Sequence, residues 1–264
     1  MRKSLQFVCD GDTLFGTLDA APNKAGLLIV SGGNEIRSGA WAGQALLAAR
    51  VAVAGHPVFR YDRRGVGDSS GANRGFRESR ADIAAALAAF RTAAPGISRV
   101  VAFGNCDAAS ALMLFGGDLA IDALVLANPW TIESNDHSAQ VQAPAALRRR
   151  YAAKLADPAE WNRLLGGAVD LRKLLGGLRR AASPGPKSAL AVEMREGLAR
   201  FCGPATILLA ERDRTAQLFA AAWGDDPRIT LLASTSHSFA DETAREWLFA
   251  KVCQALEELL PRLS

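Results

Sequence analysis

The chain has 264 residues, 49% of them apolar and 22% charged, which suits one large domain or a core with an insertion and excludes a disordered chain. No apolar run reaches the roughly 18 residues that span a bilayer, and the opening Met-Arg-Lys-Ser-Leu-Gln-Phe lacks the apolar stretch of a signal peptide, so a cytoplasmic protein is expected. The formal charge is only +4, with no interleaving of basic and aromatic residues, and Cys9, Cys106, Cys202 and Cys253 include no Cys-x-x-Cys pair; nucleic acid, zinc and a disulfide framework are all disfavoured.

Residues 5–8 and 13–19 read as two short strands around the turn Asp10-Gly11-Asp12, an opening antiparallel pair. Ala25 to Val30 is a continuous apolar run, as in a strand buried on both faces of a parallel sheet. It ends in Ser31-Gly32-Gly33-Asn34, where the glycines let backbone N–H groups turn toward a ligand; half of an oxyanion hole and an ordinary strand-to-helix loop are equally good readings. Residues 41–53 have helical spacing and stop before Gly55, and Val58 to Tyr61 is the next strand. It runs into a polar turn cluster in which Gly67-Asp68-Ser69-Ser70-Gly71 formally matches the Gly-x-Ser-x-Gly nucleophile motif. No apolar strand leads directly into that match and no helix follows it, so Ser69 is set aside. Residues 76–94 form a long helix pattern ended by Pro95-Gly96.

Residues 99–115 carry the strongest chemical signal. The apolar run Val100-Val101-Ala102-Phe103 stops at Gly104, and good helix formers resume at Asp107, which puts Cys106 at a strand-to-helix corner. Small Gly104 and Ala108 let the two arms pass closely. At such an apex unpaired N–H groups and the positive end of the helix dipole favour a thiolate. Cys106 is thus a candidate nucleophile, although a lone cysteine is most often core filling and Gly-Asn-Cys-Asp-Ala only approximates the motif.

Ala123 to Ala127 is another apolar strand, and then the alternation lapses from 133 to 200. This segment has 12 Lys and Arg against 7 Asp and Glu, a net +5 that leaves −1 for the rest of the chain. With the run Arg148-Arg149-Arg150 and Leu-Leu-Gly-Gly at both 164–167 and 174–177, it reads as a helical cap inserted into a core made of 1–132 and 201–264. Residues 206–210 are the returning strand, followed by Glu211-Arg212-Asp213-Arg214. Ile229 to Leu232 is the last strand, followed by a polar loop with His237 and a final helix over 243–260.

Alternating strands and helices imply an α/β fold with a mostly parallel sheet of about eight strands, its ligand site at the strands' carboxyl ends. Three post-strand loops there supply the parts of acyl transfer: Cys106, an acid from Glu211 or Asp213, and His237. The order nucleophile, acid, histidine is the one the α/β-hydrolase architecture requires, and Asp213, a little beyond the strand end, is preferred to Glu211.

The chain resembles an α/β-hydrolase from end to end. Its strings Val-Ser-Gly-Gly-Asn-Glu-Ile-Arg-Ser-Gly, Arg-Tyr-Asp-Arg-Arg-Gly-Val-Gly-Asp-Ser-Ser-Gly and Gly-Asn-Cys-Asp-Ala-Ala resemble the exosortase A system-associated hydrolases of the first type. Those occur in bacteria that pair a protein-sorting membrane enzyme with exopolysaccharide production. The resemblance implies a hydrolase with nucleophile Cys106, base His237 and acid Asp213, and names no substrate. The sequence departs from the general elbow in having Cys for Ser and Ala108 for the second glycine, and it has no histidine before Gly32-Gly33. The expected reaction is attack of the Cys106 thiolate on an ester or thioester, with the backbone N–H of Asp107 and that of Gly33 or Asn34 holding the oxyanion; it needs no metal or redox cofactor. Acyl transfer to a thiol or alcohol, and a non-catalytic binding protein on the same fold, are the alternatives. The basic segment would suit a small or carrier-bound substrate with an anionic group, such as phosphopantetheine or a sugar phosphate.

Overall fold

A hairpin opens the fold: β1 (Arg2–Cys9) and β2 (Asp12–Asp19) pair antiparallel about Asp10 and Gly11, whose φ angles of 49° and 89° make the tight turn. The computed structural model describes residues 1–132 and 188–260. After the hairpin come β3 (Ala25–Val30), α1 (Gly43–Val53), β4 (Val58–Tyr61), α2 (Arg80–Ala93), β5 (Arg99–Asn105), α3 (Asp107–Phe115) and β6 (Ala123–Ala127). The chain beyond residue 187 supplies α4 (Ala189–Ala199), β7 (Ala205–Ala210), α5 (Arg214–Trp223), β8 (Ile229–Leu232) and α6 (Glu242–Glu258). One eight-stranded sheet results, in the order β1-β2-β4-β3-β5-β6-β7-β8, parallel from β4 to β8.

The apolar runs explain the layering. Every residue of β3 and β6 is buried, as in a sheet covered on both faces. Along β5 the side chains alternate: Val100 and Ala102 join one core, Val101 and Phe103 the other. The first core is closed by Ile83 of α2, Leu112 of α3, Met194 of α4 and Phe219 of α5, the second by Leu47 and Val51 of α1 with Val252 and Leu256 of α6. Each such side chain contributes about 1.5–3 kcal/mol on burial. The chain leaves β3 toward α1 on one face and leaves the adjacent β5 toward α3 on the other, so a crevice opens between their carboxyl ends.

Three elements differ from the sequence reading. The helix expected over 41–53 begins only at Gly43, because Trp41 and Ala42 sit at φ 46° and 62°, and the Trp41 Nε1–H donates to Ser238 Oγ at 3.1 Å. The pattern over 76–94 breaks into a single turn at Phe76–Glu78 and α2; the Ser79 hydroxyl donates to the Phe76 carbonyl and closes that turn. Helix α5, left unassigned by the sequence reading, is started by Asp213, whose carboxylate accepts the Ala216 N–H at 2.9 Å. Residues 133–187, most of the expected cap, lie outside the described residues. The end of that segment forms α4, which packs on α3 and buries Leu190, Met194 and Leu198. Among the described residues no helix is long and apolar enough to cross a membrane.

Candidate active site

The corner after β5 is as sharp as the sequence implies. Cys106 caps α3 with φ 61° and ψ −127°, a backbone conformation that costs a non-glycine residue on the order of 1–3 kcal/mol. The surroundings hold it there: the Cys106 N–H donates to the Ala127 carbonyl at 2.9 Å, and its own carbonyl accepts the Trp130 N–H at 3.3 Å. A Cβ on Gly104 would stand 2.7 Å from the Ala108 carbonyl carbon and 2.8 Å from the Ala109 nitrogen, so only glycine lets strand and helix pass. Cys106 itself is half-buried, at the mouth of the crevice rather than in the core.

His237 arrives from the far edge of the sheet. The loop after β8 crosses the ends of β7 and β6, anchored by Phe239, which is buried, adopts φ 54° and stacks on Trp247 at 6.1 Å. Two amides fix the loop's backbone: Asn105 Nδ2 donates to the His237 carbonyl at 3.2 Å and Asn128 Nδ2 donates to it at 3.0 Å. Asn128 is fully buried at φ 40°, and its Oδ1 accepts the Ala210 N–H at 2.9 Å. One side chain thereby ties β6, β7 and the histidine loop together.

Asp213, not Glu211, meets the imidazole, with Oδ2 3.0 Å from His237 Nδ1. This hydrogen bond, with the neighbouring Cys106, outweighs burial and raises the His237 pKa from 6.5 to about 10. Burial opposes the charge on Asp213, yet the His237 bond and the Ala216 N–H still bring its carboxyl below the usual range. Both shifts describe one ion pair. A raised histidine pKa adds stability that is complete below about 6.5 and is lost as pH rises through about 10; the lowered aspartate pKa adds it above 3.8. The destabilisation caused by His237→Gln, read by urea unfolding, is therefore expected to be largest between pH 4 and 6.5 and to shrink toward pH 10. A penalty that grows with pH would contradict the pairing.

Of the expected oxyanion donors, the Asp107 amide lies at the start of α3. The Gly33 N–H is already taken, donating to Asp107 Oδ1 at 2.6 Å, a contact that a Cβ on Gly32 would block at the same distance. Arg63, whose guanidinium also donates to the Gly33 carbonyl, stands 3.9 Å from Asp107 Oδ2. Asn34 is pinned by its side chain, whose Oδ1 accepts from Asn73 Nδ2 at 2.8 Å. Behind this loop the buried Asp62 accepts from the Arg37 amide at 2.5 Å and from its guanidinium. Ser69 pins this loop: its hydroxyl donates to the Asp62 carbonyl at 2.8 Å and accepts the Phe15 N–H at 3.0 Å. Among the described residues no group of three or more His, Cys, Asp or Glu side chains is placed to hold a metal ion.

A strained corner after a central parallel strand, with an acid and a histidine from later loops, has one further correlate. The sequence model described as "Alpha/beta hydrolase family" matches residues 27–251. The chain belongs to that family. No protein of curated function matches the sequence. Solved structures that this α/β-hydrolase resembles include the Pyrococcus furiosus esterase Pf2001, at TM-score 0.62 and 15% identity over 98% of this chain and 91% of that one. The α/β-hydrolase GrgF of Penicillium sp. sh18 gives TM-score 0.65 and 15% identity over 98% of each chain. The thioesterase domain of the curacin biosynthetic pathway gives 0.58 and 14% over 96% and 99%. At such identities the likeness is one of fold.

Sequence reasoning did not single out Asn105, Asn128 or Arg63 in this α/β-hydrolase. Asn128 did carry a signal, as a polar residue directly after a buried strand at the sheet edge where ligands bind.

Proposed function

We propose that this α/β-hydrolase is a cysteine-dependent esterase or thioesterase that works through a covalent acyl-enzyme. One observation carries the reading: His237, held by Asp213 at 3.0 Å, lies within electrostatic reach of a thiol presented on a strained strand-to-helix corner. His237 favours the imidazolium with Asp213 ionised beside it, which makes it the acceptor of the Cys106 proton as the sulfur attacks. The Sγ attacks the carbonyl carbon, and the oxyanion is met by the backbone N–H of Asp107 and that of Asn34, each worth about 3 kcal/mol. Asn34 is preferred because the Gly33 N–H serves Asp107. As the tetrahedral species collapses, His237 gives its proton to the leaving oxygen or sulfur, leaving a Cys106 thioester. Water then attacks that carbonyl, His237 takes its proton, and the acid and free thiol are released.

Likeness of fold to an esterase and to a thioesterase domain supports this reaction class. The three sequence strings support placement with the exosortase A system-associated hydrolases, hence a bacterial setting. A thioester intermediate also exchanges with thiols, which favours acyl transfer as the second reading. The test is intact-protein mass spectrometry after mixing with a series of acyl p-nitrophenyl esters and acyl thioesters. An acyl adduct on the Cys106 peptide that decays in water is the expected result; added thiol or alcohol acceptor raising turnover indicates transfer. Turnover without such an adduct, or an adduct elsewhere, overturns the mechanism.

A further inference from the structure

The loop after β3 holds a second carboxylate that the triad does not use. Glu35 is half-buried and accepts from Gln44 Nε2 at 3.2 Å, while the Gln44 Oε1 accepts the Ser31 hydroxyl at 2.8 Å, which aims the amide at Glu35. Burial dominates its environment and, with the charge of Asp107, lifts its carboxyl above the usual range against the pull of His237 and the Ala40 amide; both the acid beside the elbow and the triad base are thus within electrostatic reach.

Glu35 lines a pocket of about 590 Å³, open mouth included, between α1 and the histidine loop. Asn105 and Ser238, the neighbours in sequence of Cys106 and His237, are among its lining residues. Leu47, Phe103, Phe239 and Leu248 make its walls apolar. At its rim Trp41 and Leu46 are 39% and 48% exposed, large apolar side chains that water covers poorly. Of the two arginines at the pocket, Arg50 is neutralised by a two-bond pair with Glu246 at 2.7 Å, and Arg245 stands over the Trp41 ring at 5.6 Å. An apolar cleft with a carboxylate inside and an aromatic face at its mouth fits an apolar group bearing a hydrogen-bond donor.

We propose that this pocket is the subsite for one arm of the substrate, and that Glu35 makes it accept neutral or cationic apolar groups and reject anionic ones. This rests on Cys106 being the reacting atom. It also separates this arm from any anionic carrier, whose contacts would have to lie elsewhere.

The experiment uses three iodoacetamides of equal chain length, N-hexyl, N-(6-aminohexyl) and N-(5-carboxypentyl), with plain iodoacetamide as reference. In each, the thiolate sulfur forms the S–C bond and iodide leaves. Labelling of Cys106 is followed by peptide mass spectrometry and divided by labelling of the exposed Cys202 in the same digest. The hexyl and aminohexyl reagents are expected to outrun the carboxypentyl one at least tenfold, Glu35→Gln to bring the three within threefold, and the pocket-filling Leu47→Trp to reduce all three to the rate of plain iodoacetamide. Equal rates in the wild-type protein, a carboxypentyl reagent that reacts fastest, an unaltered ratio in Glu35→Gln, or no labelling of Cys106 by any reagent overturns the proposal. The mechanism fails separately, when plain iodoacetamide labels Cys106 no faster than Cys202 while the order among the long reagents persists.

Discussion

Cys106→Ala is expected to reduce hydrolysis of the best acyl ester or thioester by 10³-fold or more, and His237→Ala by a similar factor, because nucleophile and base act as one unit. Residual turnover of about 10³-fold over water would come from the oxyanion donors and from binding alone. The double variant is expected to be no slower than either single one. Asp213→Asn should lose on the order of 10⁴-fold in kcat while KM barely moves, since an amide in place of Oδ2 offers the wrong partner to His237 Nδ1–H. The same substitution removes the first cause of the raised His237 pKa. Alkylation of Cys106 by iodoacetamide at pH 7 is therefore expected to slow. Wild-type turnover in Cys106→Ala or His237→Ala would remove that residue from the reaction, whatever its geometry.

The parts of this site that were legible in the sequence are those whose placement follows from one strand and its end. β3, β5, β6 and β7 are short apolar runs stopped by a polar or glycine residue, β8 follows as a shorter one, and in a parallel sheet all their carboxyl ends meet at one edge. Cys106, His237 and an acid from Glu211 or Asp213 could be nominated from that, with Asp213 preferred; the contact between Asp213 and the imidazole at 3.0 Å is a matter of tertiary structure. Helix α5 escaped because Asp213 has two roles: Oδ2 both caps the helix through Ala216 and faces His237, and only the second was sought. The occupied Gly33 amide was out of reach for another reason. Its partner, Asp107, lies 74 residues further on, and the contact exists because β3 and β5 are neighbours in the sheet although β4 separates them in sequence. The place of Asn128 after a buried strand was legible, but what Glu35, Asn105 and Asn128 touch depends on where the histidine loop crosses the sheet edge, which no local pattern encodes.

Asn128 is where this tertiary dependence should be most costly to break. Its fully buried side chain donates to the His237 carbonyl and to Asn105 Oδ1 in part-buried bonds and accepts the Ala210 N–H in a buried one. Asn128→Leu leaves those groups short of partners at about 1–3 kcal/mol for each fully buried one, and places a branched residue at φ 40°, a conformation asparagine tolerates and leucine does not. A total loss of about 3–5 kcal/mol, or roughly 10 °C in Tm, is expected in thermal unfolding. Asn128→Asp separates positioning from folding: it keeps the shape and the acceptor for Ala210 while losing the donor to the histidine loop. If Asn128 positions the base, Asn128→Asp retains a cooperative unfolding transition yet slows Cys106 alkylation at pH 7 at least tenfold and shifts its pH profile upward. Asn105→Asp, which removes the longer of the two bonds to the same carbonyl, should give a smaller shift in the same direction. Unaltered alkylation and pH profile in Asn128→Asp would make the buried amide a structural tie only, because a tie that merely stabilises the sheet edge has no means of changing how the imidazole and the thiol share a proton.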